Sequence, residues 1–241
     1  MKTALITGGT KGIGKGIARV LLENGYEVAL NYDMDEHAAL ATQHEFNLLG
    51  YCPVLLKADV SRELDVQSMF REFFETYDRL DLLVNNAGIS IVKMLQDTTV
   101  EDYMRLFNVN MRGTFLCSRE AVPHMNHEGG GCIVNIASIW GEVGASCETV
   151  YSATKGAVIA FTMGLSKELA PSNIRVNCVS PGVIDTDMNS DLSSMEMEDL
   201  IQTIPMGRIG RPEEVGQAVL YLAEADYVTG VNIPVGGGFA K

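Results

Sequence analysis

Short apolar runs rich in branched side chains alternate along this chain with longer stretches in which apolar positions recur every three or four residues. The first pair is Ala4-Leu5-Ile6 followed by 12–23; then come 27–32 with 36–48, 51–56 with 64–77, and the run 80–84. Side chains alternate faces along a strand and return to one face every three to four residues along a helix, so the short runs predict strands and the longer ones helices. The alternation continues through 100–125, 131–137, 150–169, 174–179, 213–225 and 229–235, giving about seven strands separated by helices. That rhythm predicts an α/β fold, a single doubly wound domain of parallel strands flanked by helices over residues 1–241. The exception is 185–210, rich in Met, Ser, Asp and Glu, which reads either as a lid over a binding site or as a solvated pair of short helices.

Charge narrows the partners. With 18 Lys and Arg against 31 Asp and Glu, the formal net charge is −13, and the resulting field opposes nucleic acid and anionic membranes. The five cysteines form no Cys-x-x-Cys pair and no Cys/His cluster at zinc spacing, which suits a reducing compartment and no metal site. Met1-Lys2-Thr3 leads straight into a strand, and no segment has a membrane-spanning length without charge, so cytoplasmic residence is expected.

Between the first strand and the first helix lies Thr7-Gly8-Gly9-Thr10-Lys11-Gly12-Ile13-Gly14. Glycines there permit a tight turn and let backbone N–H groups and the helix dipole meet a phosphate. Taken alone, such a turn is as often structural as nucleotide-binding. Tyr151 and Lys155 stand four apart in a helix-compatible stretch, so phenol and ammonium project from one face. A phenol with a pKa of about 10 is a poor acid or base at neutral pH, and a neighbouring cation lowers that value, so Lys155 is expected to tune Tyr151 downward. By itself that spacing more often marks an exposed surface pair. Ser138 follows the strand 132–137 at its carboxyl end, the crevice side of an open α/β sheet, where a merely strand-terminating serine is the alternative.

In combination these motifs resemble the short-chain dehydrogenase/reductase family, whose first turn has the form Thr-Gly-x-x-x-Gly-x-Gly, and the resemblance runs along nearly the whole chain. It implies an oxidoreductase moving a hydride between NAD(P)(H) and a carbonyl or alcohol carbon. Gly8, Thr10, Lys11, Gly12, Ile13 and Gly14 would then hold the pyrophosphate. Asp59 and Val60 would meet the adenine, the alternative for Asp59 being a helix N-cap. Asn86, Ala87 and Gly88, within Asn85-Asn86-Ala87-Gly88, would line the ribose, and Pro181, Gly182, Ile184 and Thr186 the nicotinamide. Tyr151 would act as acid/base, Ser138 as oxyanion stabiliser, and Lys155 as phenol tuner and ribose ligand. Asn110 would support a proton relay through a helix distortion.

The nucleotide signals are mixed. Tyr32 occupies the position where NAD-using members of the family carry their acidic residue, and Asp33 follows it, which argues against a 2′-phosphate; Lys11 matches a position where NADP-using members commonly carry a base. The balance leans to NADP(H), with NAD(H) open. Within the family the resemblance is closest to 3-oxoacyl-acyl-carrier-protein reductases of fatty acid biosynthesis, through Ile133-Val134-Asn135-Ile136-Ala137-Ser138 and Ile204-Pro205-Met206-Gly207-Arg208. Reduction of a 3-oxoacyl thioester is therefore the first expectation. Those reductases dock their acidic carrier through basic residues before the fifth and sixth strands, where this chain has His127-Glu128-Gly129 and Ala170-Pro171-Ser172-Asn173, so acyl carrier protein is disfavoured by charge. A dehydrogenase of a sugar, polyol or hydroxysteroid is the enzymatic alternative, and a non-catalytic nucleotide-sensing protein the alternative of another class. The resemblance also implies a homotetramer. The largely apolar helix 150–169 suits burial on more than one face, or equally the core of a monomer.

Overall fold

The computed structural model describes residues 1–127, 129–186 and 194–239. In chain order the elements are β1 (Lys2–Ile6), α1 (Gly12–Glu23), β2 (Tyr26–Tyr32), α2 (Glu36–Leu48), β3 (Val54–Lys57), α3 (Glu63–Thr76), β4 (Leu82–Asn85), α4 (Val100–Phe107), α5 (Gly113–His127), β5 (Gly131–Ile136), α6 (Trp140–Val143), α7 (Thr149–Leu169), β6 (Ile174–Pro181), α8 (Ser194–Gln202), α9 (Pro212–Glu224) and β7 (Asn232–Val235). The seven strands form one parallel sheet in the order β3-β2-β1-β4-β5-β6-β7, the doubly wound arrangement expected from the sequence.

Strand periodicity divides the core. Ala4, Ile6, Val28, Leu30, Leu82 and Val84 point to one face, where they pack with Ile17 and Leu21 of α1, Phe46 of α2, and Val215, Val219 and Leu222 of α9. Their neighbours Leu5, Ala29, Leu56 and Leu83 point to the other, against Phe70 and Phe73 of α3 and Leu116, Cys117 and Ala121 of α5. Each Val, Leu, Ile or Phe buried in this way contributes about 1.5–3 kcal/mol, so the register of the central strands is strongly specified. The winding across the sheet reverses at β1 and β4, hydrogen-bonded parallel neighbours from which successive strands are added in opposite directions, and that switch point opens a crevice at the carboxyl ends of the strands.

Some boundaries differ from expectation for local reasons. The third strand begins at Val54 rather than at 51, because Pro53 has no N–H to give to the ladder. The last begins at Asn232 rather than 229, because Gly230, at φ +76°, and the Thr229 hydroxyl bonded to the Val176 N–H make a turn first. The helix expected over 100–125 is interrupted by a π-helical turn, Asn108–Arg112, and runs on to His127. Within 185–210, α8 is helical and a parallel bridge joins Ile184 to Gly210, while 187–193 lies outside the described residues.

Candidate active site

The turn after β1 is held by side chains as well as by glycines. Gly8 and Gly12 have φ of +60° and +47°, values that L side chains rarely adopt. The Thr7 hydroxyl accepts the N–H groups of Asn86 (2.9 Å) and Ala87 (3.0 Å), and Asn86 Nδ2 donates to the carbonyls of Thr7 (2.9 Å) and Gly8 (3.0 Å), lacing the β1 and β4 loops together. Asn31 Oδ1 on β2 accepts the Gly8 N–H at 3.2 Å. At the start of α1, Lys11 makes no side-chain cap, so among the described residues no side chain occupies the donors of the first turn, where an anion is best held. A Cβ on Gly14 would stand 2.2 Å from the Gly8 carbonyl oxygen, so only glycine lets helix and turn approach this closely. Thr186 lies against this turn too, its methyl 3.2 Å from where a Gly12 Cβ would be. This cradle fits a pyrophosphate.

Further out, the rim is acidic. Lys11 pairs with Asp35, whose other oxygen caps α2 at the Ala38 N–H (3.0 Å), and Lys57 reaches Glu36 at 3.5 Å. The Lys11 bond holds the Asp35 carboxyl below its ordinary pKa. Asp33 is exposed, and partial burial together with the charges of Asp59 and Asp65 raises its pKa. Asp59 Oδ1 accepts the Ser61 N–H at 2.9 Å, whereas the N-cap position of α3 is Arg62, so Asp59 makes a local turn rather than the helix cap considered from sequence. Tyr32, half-buried, ends β2 beside Asp33, and Val60 is buried against Gly113.

At the inner end of the crevice, Tyr151 and Lys155 project from the first turns of α7, and Ser138 stands at the carboxyl end of β5; all three are buried. Ser138 and Tyr151 share a side-chain hydrogen bond, and Ser138 Oγ also accepts the Trp140 N–H at 3.2 Å. Lys155 Nζ donates to the Ile136 carbonyl (2.9 Å) and lies 5.8 Å from the centre of the Tyr151 ring. The π-helical turn places Asn110 inward, where Oδ1 accepts the Ile89 N–H and Nδ2 donates to the Ile89 carbonyl, both at 2.9 Å, and to Thr154 Oγ1 at 3.0 Å. A Cβ on Gly88 would fall 3.2 Å from Lys155 Nζ and 3.4 Å from Asn110 Oδ1, so ribose loop, lysine and asparagine meet at one point. Pro181 and Gly182 close the far wall, with the Gly182 N–H bonded to the Val235 carbonyl at 2.9 Å, and Ile184 buried behind them.

The electrostatics of Tyr151 depart from the sequence expectation. Burial pushes its phenol up to about 12, with the Ser138 hydrogen bond pulling down and the charge of Glu148 pushing up; it does not lower the pKa as the Lys155 spacing had implied. Burial also lowers the Lys155 ammonium to about 8, because it is desolvated and, among the described residues, pairs with no carboxylate. Desolvation, a tertiary effect, outweighs the cation a turn away.

The residues singled out from sequence therefore gather along one crevice, from Asp33 and Lys11 at its outer rim through Gly8–Gly14 to Tyr151. Sequence reading missed Thr7 and Asn31 as its fasteners, and also Ser90, whose hydroxyl donates to Glu148 Oε1 at 2.5 Å on the rim near Tyr151. No local pattern marks these contacts; only for Asn31, a polar residue inside an apolar strand, was there a signal. Among the described residues no cluster of His, Cys, Asp and Glu could hold a metal, and no helix is long and apolar enough to cross a membrane.

A parallel sheet with a glycine cradle at its switch point and a Ser/Tyr/Lys cluster beside it defines a dinucleotide-dependent oxidoreductase. A family model described as enoyl-(acyl carrier protein) reductase matches residues 8–240. The chain is 41% identical over 238 residues to carbonyl reductase family member 4 of Xenopus laevis, covering 98% of this chain and 97% of that protein. It is 36% identical over 239 residues to a 3-oxoacyl-[acyl-carrier-protein] reductase of Chlamydia pneumoniae, covering 98% and 96%. It is also 42% identical over 246 residues to an uncharacterized oxidoreductase, YgfF, of Escherichia coli, covering 99% and 100%. The chain belongs to the short-chain dehydrogenase/reductase family.

Proposed function

We propose that this chain interconverts a ketone and a secondary alcohol with NAD(P)(H). The observation that carries the reading is the buried Ser138–Tyr151–Lys155 cluster opening onto the same crevice as the glycine cradle. When bound, the nicotinamide supplies or takes up the hydride at the carbonyl carbon. In the reductive direction the Ser138 hydroxyl orients the carbonyl oxygen, and Tyr151 gives it the phenolic proton as the C=O π bond becomes a C–O bond. Lys155 stabilises the phenolate left behind, and Asn110, by fixing the Ile89 backbone beside Lys155, shapes the path by which that proton is replaced. Asp59 and Val60 would face the adenine, Asn86–Gly88 the ribose, and Pro181, Gly182, Ile184 and Thr186 the nicotinamide.

Two substrate classes fit. A 3-oxoacyl thioester is supported by relatives named for that activity, presented free or on coenzyme A, since the loops before β5 and β6 lack the cations an acidic carrier protein would need. A hydroxylated ketone, of the sugar or polyol kind, is favoured by a carboxylate, Glu148, near Tyr151. For the nucleotide, the lean toward NADP(H) rested on Lys11. With Lys11 engaged by Asp35 and Asp33 alongside, the local charge supports NAD(H) over NADP(H). The segment 185–210 acts as the substrate lid, and the whole chain works as one domain in the cytoplasm. A homotetramer is supported by the apolar groove formed by Phe107, Met111, Phe115 and Phe161 on α4, the π-helical turn, α5 and α7. The test is oxidation of NADH and NADPH by the purified protein with 3-oxobutanoyl thioesters on coenzyme A and on acyl carrier protein, and with hydroxyketones. Turnover of any of these supports the reading; bound nucleotide with no turnover of any would remove it.

A further inference from the structure

Glu148 occupies the N-cap position of α7, where a shorter acceptor such as Asp or Ser would accept an N–H of its own helix. Here it makes no such bond. Its Oε1 accepts the Ser90 hydroxyl instead, on the loop that follows the ribose-side Gly88 and Ile89. The two segments are tied a second time, by the Lys93 N–H on the Cys147 carbonyl at 2.8 Å, with Cys147 held at φ +62°. The backbone is thereby turned so that residue 148 faces the loop.

Position 148 precedes Tyr151 by three residues, which sets the two on neighbouring points of one helix face, and the Glu148 charge is felt at the Tyr151 phenol. Among the described residues no cation pairs with Glu148. The nearest basic residue along the facing loop, Lys93, is held by Asp102 at 2.6 Å. Ser90 satisfies one oxygen of Glu148, and among the described residues none donates to the other.

An ionised carboxylate only accepts hydrogen bonds. A substrate with its carbonyl on Tyr151 and Ser138 would therefore meet, on the Glu148 side, a group that favours a donor over another carbonyl oxygen. We propose that Glu148, anchored by Ser90, is a specificity-determining residue that selects ketones bearing a hydroxyl next to the reacting carbon, and vicinal diols in the reverse direction, over 3-oxoacyl thioesters. This role rests on the oxidoreductase reading above and chooses between its two substrate classes. A site built to bond a substrate hydroxyl discriminates against an analogue that lacks it, and the half-buried Glu148 carboxylate offers such an acceptor.

The experiment compares kcat and KM of the wild-type protein, Glu148→Gln and Ser90→Ala on hydroxyacetone, butanone and 3-oxobutanoyl-coenzyme A, with saturating reduced nicotinamide. Expected is a wild-type kcat/KM for hydroxyacetone at least tenfold above that for the other two. Glu148→Gln should raise KM for hydroxyacetone about tenfold, with kcat within a factor of three, and lower KM for the thioester. Ser90→Ala, which keeps the carboxylate but frees it, should shift KM in the same direction by less. A wild-type preference for the thioester, or KM values that Glu148→Gln leaves unchanged, would overturn the role given to Glu148. Bound nucleotide with no turnover of any substrate would instead overturn the oxidoreductase reading on which it depends. Glu148→Gln is nearly isosteric and still offers Ser90 an acceptor. Circular dichroism and nucleotide binding of each variant confirm that a change in KM comes from the site and not from misfolding.

Discussion

Replacing Gly14 with Ala adds one methyl group at the tightest point of the nucleotide cradle. That methyl carbon would stand 2.2 Å from the Gly8 carbonyl oxygen, 2.6 Å from Asn86 Nδ2 and 2.9 Å from Gly9 Cα. A close carbon–oxygen contact is about 3.3 Å, so helix and turn must separate by roughly 1 Å. The obstructing atoms are mostly backbone and cannot swing aside as the tip of a long side chain could. Overpacking of this kind costs about 1–3 kcal/mol, and a backbone obstacle puts the cost near the top of that range. Alanine recovers up to about 1 kcal/mol of helix propensity, leaving a net loss of about 2 kcal/mol. For a chain of this size that lowers Tm by about 4–8 °C. Because Asn86 Nδ2 also holds the Thr7 and Gly8 carbonyls, NADH affinity should fall at least tenfold. Gly164→Ala on α7 is the control: that glycine is exposed and a Cβ there meets nothing within 4 Å, so stability should rise by up to about 1 kcal/mol. Calorimetry at fixed protein concentration and fluorescence titration of NADH read both effects. A Gly14→Ala protein with wild-type Tm and affinity would refute the packing argument.

Three further outcomes follow from the site and the core. Tyr151→Phe should lower kcat by at least about a hundredfold while NADH binding stays within a few fold, and unchanged turnover would remove Tyr151 from proton transfer. Asp35→Asn keeps the cap on α2 but frees Lys11, so the ratio of NADPH to NADH affinity should rise, more at low salt than at high; an unchanged ratio by titration would refute the masking of Lys11. Stability should fall steeply above pH 9. Burial raises the thiols of Cys117 and Cys178 to about 12 and that of Cys132 to about 11, so the folded state keeps protons that the unfolded state begins to lose at about 8.5. The stability these thiols lend is fully present below that pH and is lost as pH rises toward their folded values. Lys155 works the other way, gaining stability from its folded value of about 8 up to about 10.4, but one group at about 1.4 kcal/mol per pH unit does not offset three. Urea midpoints at pH 8 and pH 10 measure the fall, and a Cys117→Ala, Cys178→Ala protein with an unchanged slope would refute the assignment to thiols.

Much of the fold was legible because a parallel sheet covered on both faces writes itself as uninterrupted apolar runs, and Leu5 lies between Ala4 and Ile6 in such a run while serving the opposite core. The glycine cradle and the Tyr151–Lys155 spacing were legible for the same reason, since both are local. What was not legible depends on residues far apart in the chain. Lys11 and Asp35 are 24 positions apart, and Ser90 and Glu148 are 58, so neither pairing leaves a trace in spacing. The phenol of Tyr151 was expected to fall because the cation four residues on is visible in the sequence, whereas the burial that raises it is assembled from β5, α7 and their neighbours. The inward turn of Asn110 was reached through family resemblance alone; nothing in Asn108-Val109-Asn110 announces a widened helix turn.

That widened turn has a consequence for how the gene can vary. A π-helical turn accommodates one residue more than an α-helix would, and each residue of an α-helix advances about 100° around the axis. Losing a single codon between Asn108 and Arg112 would let the helix close into a regular one, and because the wide turn already absorbs the extra residue, everything downstream would keep its face relative to α4. Asn110 would lose its inward place and its bonds to Ile89 and Thr154, while Ser118 would stay beside Asn85 and Cys117 and Ala121 would stay in the core. Substitutions along α5 act on the core one side chain at a time, but a one-residue deletion in this turn would dismantle the inner crevice and spare the core face of α5.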